Sequence, residues 1–120
     1  MAGPVQTVRP IAPGYAYSLR VRVTGEDGPV FPAGCALRAD LRDSPGAPRA
    51  AASLGTADGS IVRVDDDTVQ IDIEGEGTAG LTDKTAALDL VRTDTDPDQW
   101  LGVQVILPVV RPVTLPEPEA

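Results

Sequence analysis

Apolar and polar residues alternate along most of this chain with the period of two that marks half-buried strands. Between Tyr15 and Thr24, Tyr17, Leu19, Val21 and Val23 take one side and Ser18, Arg20 and Arg22 the other. Cys35–Arg42 repeats the pattern, with Cys35, Leu37, Ala39 and Leu41 set against Ala36, Arg38, Asp40 and Arg42. Ala50 to Leu54 reads as a weak strand of small residues. Ile61 to Val64 and Thr68 to Ile73 flank the acidic turn Asp65-Asp66-Asp67 and read as a hairpin. Thr85 to Arg92 puts Ala86, Leu88 and Leu90 on one face; Trp100 to Leu107 does the same with Leu101, Val103, Val105 and Leu107. Turn chemistry separates the runs: Gly25-Glu26-Asp27-Gly28, Asp43-Ser44-Pro45-Gly46, Thr56-Ala57-Asp58-Gly59-Ser60 and Asp94-Thr95-Asp96-Pro97-Asp98. Gly75 to Leu81 is expected to be a crossover loop with a helical turn near Leu81. About seven short strands with turn signals every ~8–12 residues predict an all-β antiparallel sandwich.

Composition agrees with that reading and limits it. A chain of 120 residues holds one domain, and 12 glycines with 12 prolines leave no room for long helices. Only 3% of residues are aromatic, so the core is built from Val, Leu, Ile and Ala. The prolines gather at the ends: Pro4, Pro10 and Pro13 first, Pro108, Pro112, Pro116 and Pro118 last. They predict extended arms over 1–14 and 108–120 around a sandwich over 15–107. Val5, Val8 and Ile11 in the first arm and Val109, Val110, Val113 and Leu115 in the second suit contact with a neighbouring subunit, against the alternative of fraying ends.

A net charge of −8 repels a phosphate backbone and an anionic bilayer, so neither nucleic acid nor membrane is an expected partner. The single Cys35 makes no internal disulfide and is expected to pack as a small buried hydrophobe. The N-terminus lacks the basic and apolar regions of a secretion signal, which places synthesis in the cytoplasm.

Candidate chemistry is sparse. The chain has no histidine, and its serines sit in no nucleophile-elbow sequence, so an enzyme is not expected. Gly75-Glu76-Gly77-Thr78-Ala79-Gly80 fits a dinucleotide fingerprint, but Glu74 and Glu76 would oppose a pyrophosphate and the next segment alternates like a strand. No cofactor is expected. Asp94, Asp96 and Asp98 space their carboxylates like the start of a calcium loop, without the later glycine and bidentate acid. They are weak metal candidates beside the simpler reading of a solvated turn. Arg20, Arg22, Arg38 and Arg42 fall on outward strand faces, either as surface ion pairs or as an arginine-rich docking face. Trp100 is either a cap on the core or an interface anchor. Val110, Val113 and Leu115 complete the interface candidates.

The order of strand, Arg42-Asp43-Ser44-Pro45-Gly46, strand and Thr56-Ala57-Asp58-Gly59 resembles small tailed-phage and prophage proteins akin to the immunoglobulin-like N-terminal module of the phage baseplate upper protein. Thr78-Ala79-Gly80-Leu81 looks like that family's helical turn before the penultimate strand, and Asp89-Leu90-Val91-Arg92-Thr93-Asp94 like its outgoing strand and turn. The family's aromatic pair in the penultimate strand is replaced by Thr85, Ala86, Ala87 and Leu88. The resemblance implies an immunoglobulin-like sandwich serving as a non-enzymatic virion part: a tail or baseplate adaptor, or a capsid decoration. Its partners would be other phage structural proteins and copies of itself. A carbohydrate- or calcium-binding surface module is the alternative.

Overall fold

The computed structural model describes residues 9–25 and 28–115. The all-β antiparallel sandwich expected from the alternation is what forms. A three-stranded sheet has the order β1-β5-β4, from Tyr17–Arg22, Thr68–Ile73 and Ile61–Arg63; a four-stranded sheet has the order β3-β2-β6-β7, from Ala52–Gly55, Leu37–Arg42, Thr85–Arg92 and Gln99–Pro108. All pairings within the sheets are antiparallel.

The two inner faces interdigitate. Tyr17, Val21, Val69, Ile71, Ile73 and Ile61 come from one sheet, and Leu37, Ala39, Leu41, Leu54, Ala86, Leu88, Leu90 and Leu107 from the other. With only one phenylalanine in the chain, Phe31 fills the core as its largest fully buried side chain. It belongs to no strand: its N–H donates to Asp66 O and its carbonyl accepts from Arg63 Nε, which fixes the segment across the hairpin. Burying these branched side chains supplies the main driving force, roughly 1.5–3 kcal/mol for each large one.

Three expectations change. Ile11 lies within the segment assigned to an N-terminal arm, yet it is fully buried and bridges Val109 in parallel. The proline spacing around it gives no sign of this pairing, since its partner is nearly a whole chain away. The helical turn lies earlier than expected, as a four-residue helix α1 at Gly75–Thr78. Cys35 is half-buried, not fully buried, and burial pushes its thiol pKa up.

The crossover from β5 to β6 is held by a buried hydroxyl. Thr78 Oγ1 accepts from Gly14 N at 3.0 Å and lies 2.8 Å from Tyr15 O, the nearer of two carbonyls within donating reach. A side chain at Gly75 would place its Cβ 2.6 Å from Gly14 O, so only glycine lets the crossover approach that segment.

Candidate docking surfaces

β7 forms one margin of the four-stranded sheet and is its longest strand. Its ten residues, Gln-Trp-Leu-Gly-Val-Gln-Val-Ile-Leu-Pro, include no charge in a chain that is 23% charged. Natural sheet margins are usually blunted by lysine, inward charge, a bulge or a cover, because their unpaired backbone groups invite another strand, and of these β7 has a bulge and a cover at one end. Leu101, Val103, Val105 and Leu107 face the core, while Trp100 and Ile106 point outward, 58% and 49% exposed. Trp100 is therefore not a cap on the core. Its Nε1 donates to Asp89 Oδ2 at 2.9 Å, which holds the ring over the outer face of the sheet.

The backbone direction along β7 follows from three hydrogen bonds. Val109 N donates to Lys84 O on the β6 side. Ile11 N donates to Pro108 O, and Val110 N donates to Ile11 O, both on the far side. Because successive residues alternate, Gln104 and Ile106 direct their N–H and C=O away from β6. Ile11 covers the margin at Pro108–Val110, and among the described residues no strand covers it from Gln99 to Leu107. A bulge interrupts the β6 register between Asp89 and Val91, where Gly102 takes a φ of 74° that other residues rarely adopt.

The opposite margin, β3, is short and finished. Gly55 N donates to Ser60 Oγ at 2.8 Å, and Ser60 Oγ lies 2.5 Å from Asp58 Oδ1, to which it gives its proton. Beside β3 lies a groove of about 510 Å³ bounded by Leu54, Asp58, Asp72, Ile73 and Glu74.

The four candidate arginines are not brought to one face. Arg20 and Arg22 lie on the outer face of β1, and Arg38 and Arg42 on the outer face of β2, which belongs to the other sheet. The strand period gives the outward side correctly, but the two outward sides are opposite surfaces of the sandwich. Arg42 pairs with Asp40 at 2.9 Å and donates to Ala47 O; Arg20 Nε donates to Gln70 Oε1. A single arginine-rich docking face does not form.

The acidic turns are likewise occupied locally. Both carboxylate oxygens of Asp94 accept from Arg92, at 3.0 and 2.6 Å. That pairing holds the Asp94 carboxyl down at about 2. Asp66 pairs with Arg63, and Asp65 Oδ1 accepts from Asp67 N. Among the described residues no three carboxylate or cysteine side chains converge to hold a metal, so Asp94, Asp96 and Asp98 do not form the ligand set that their spacing suggests.

The C-terminal candidates divide. Val110, Val113 and Leu115 are exposed, at 53%, 101% and 72%. The segment between them is tied down nonetheless: Tyr15 Oη donates to Thr114 O at 2.7 Å, and Arg111 donates to Leu81 O at 3.1 Å. Val5 and Val8 lie outside the described residues.

Asp43 is the polar residue whose role the sequence hides. Its Oδ1 accepts from Thr82 N at 2.9 Å and Asp83 N at 3.3 Å, and its Oδ2 from Thr82 Oγ1 at 2.9 Å. These bonds, the Thr82 N–H first, draw its pKa below the ordinary carboxylate value. Thr78 is equally silent in the sequence; a threonine inside a glycine-rich crossover is the one available signal. No family model matches the chain, and no curated protein matches it.

Proposed function

We propose that this chain is a non-enzymatic structural protein of a tailed-phage or prophage particle, docking onto a larger assembly through the β7 margin of its four-stranded sheet. The observation that carries the docking is the uncharged run from Gln99 to Leu107, uncovered among the described residues, with Trp100 and Ile106 standing out of it. A strand added there gains backbone hydrogen bonds at once, and its alternate side chains meet Trp100 and Ile106. Repetition on a particle makes weak single contacts sufficient through avidity.

The particle assignment rests on the resemblance of the turn sequences. Within the fold, Asp43 of the Arg42–Gly46 motif bonds Thr82, one residue past the Thr78–Leu81 motif. The Arg42–Gly46 stretch is therefore tied to the residues that directly follow the Thr78–Leu81 stretch. The division into β1-β5-β4 and β3-β2-β6-β7, with the Ile11 segment parallel to the last strand, supports an immunoglobulin-like reading of the sandwich. The occupant this reading implies is a strand of a neighbouring subunit, a second copy of this chain or another phage structural protein.

Counting copies of the chain in purified particles by quantitative mass spectrometry tests the proposal. Hundreds of copies per particle identify a head decoration or repeated tail component; single digits to low tens identify a baseplate or neck part. Absence from the particle ends the virion reading.

A further inference from the structure

We infer that the first occupant of the β7 margin is β7 of a second copy, paired antiparallel about a two-fold axis near Val103. The inference takes its docking strand from the reading above but does not depend on the particle. Two features of the strand choose this occupant. First, a chain with a net charge of −8 repels its own copies, and β7 is the longer of the two sheet-margin strands that carry no charged residue, four-residue β3 being the other. Second, the row is self-complementary. Ile11 blocks the margin beyond Leu107, so among the described residues the open stretch is Gln99–Leu107. Pairing that stretch with itself over its full length puts Val103 opposite Val103 of the second copy.

In this register Trp100 stands against Ile106 of the other copy, an aromatic–branched pair of the kind that stabilises sheets. Gly102 stands against Gln104, leaving room for the amide. On the regular side of the bulge, Gln104 and Ile106 turn their backbone groups outward, where they can exchange hydrogen bonds across the seam. At each end, the Asp96–Asp98 turn of one copy comes beside the Val110–Arg111 end of the other. Neither Asp96 nor Asp98 forms an ion pair among the described residues, and Arg111 is exposed. Charge is thus complementary at both ends and absent in the middle. The product is one continuous eight-stranded sheet with the two β3 margins at its far sides.

Sedimentation velocity of the full chain, from about 1 µM to about 1 mM, reads the association directly. The expected result is a doubling of the 12.5 kDa mass within that range. Ile106→Lys should abolish it, and Arg111→Glu should weaken it by about threefold, as exposed ion pairs do. Circular dichroism of each variant checks that the sheet signal is kept. A second measurement leaves Ile106 and Arg111 unchanged: in a Cys35→Ser background, Val103→Cys should cross-link on mild oxidation, circular dichroism again checking that the sheet signal is kept. Non-hydrogen-bonded antiparallel neighbours stand about 4.5 Å apart, within disulfide reach. A monomer throughout the range, growth beyond a dimer, or faster cross-linking of Val105→Cys than of Val103→Cys overturns the inference. Copy number on particles is independent of all three outcomes, so failure here and failure of the virion reading are distinguishable.

Discussion

The two margins of the four-stranded sheet solve the same problem in opposite ways. β3 is four residues long, built from small side chains, and its Gly55 N–H is covered by Ser60, which Asp58 holds in place. β7 is ten residues long and uncharged, and among the described residues only its end is covered, by Ile11. Both margins belong to one sheet with one core, so the contrast is not a matter of fold stability. A short turn finishes one side within the chain, whereas among the described residues the other side is left open from Gln99 to Leu107. A sheet margin left open by its sequence is where an assembly contact is to be sought.

The sharpest way to break the comparison is to remove the cover that β7 does have. Ile11→Ala empties a fully buried site and should cost about 2–5 kcal/mol in urea unfolding. It should also lengthen the open margin and raise self-association of the folded fraction. A loss below about 1 kcal/mol would show that Ile11 is not part of the core. On the finished side, Ser60→Ala uncovers Gly55 N–H and should cost about 1 kcal/mol. Hydrogen exchange at Gly55 should quicken while exchange in β6 is unchanged; equal protection in both proteins would mean that the serine is not the cover.

Ile106→Lys should leave thermal stability of the monomer within about 0.5 kcal/mol, because the side chain is exposed. A large loss would place Ile106 in the core and remove the contrast between the margins. The smallest effect concerns acid. The folded-state pKa of Asp94 is about 2, below the ordinary ~3.9. Its pairing with Arg92 therefore contributes fully above about pH 4 and is lost as pH falls through about 2. In Asp94→Asn the fall in melting temperature between those two values should be shallower than in the unaltered protein. Parallel curves would show that the pair contributes nothing.

Much of the fold is legible in the sequence because alternation is a local signal. Thr85–Arg92 coincides with β6, and Leu37–Arg42 and Thr68–Ile73 each lie within their predicted runs. What the alternation does not carry is the partner of each strand. Arg22 and Arg38 both read as outward, yet they sit on opposite sides of the molecule because β1 and β2 belong to different sheets. Ile11 reads as part of an arm because proline dominates its neighbours, while its pairing with Val109 spans the chain. Asp94 reads as a possible cation ligand because its spacing to Asp96 and Asp98 is conspicuous. The better signal was nearer: Arg92, two residues back on a strand, lies on the same face. The docking surface was half legible. Trp100 and Val110 stood out by residue type, but the exposure of Trp100 and the open margin of β7 depend on which strand ends the sheet.

The parallel bridge between Ile11 and Val109 also fixes how the protein carries load. The chain leaves Ile11 toward Arg9 in one direction and leaves Val109 toward Val110 in the other. Tension applied at these two points slides the segments past each other, so that the hydrogen bonds of Ile11 to Pro108 and Val110 are strained together and not peeled one at a time. Two hydrogen bonds loaded together in shear yield at a higher force than the same two broken in turn, so the direction of pull, and not the number of bonds alone, sets how this end of the sandwich opens.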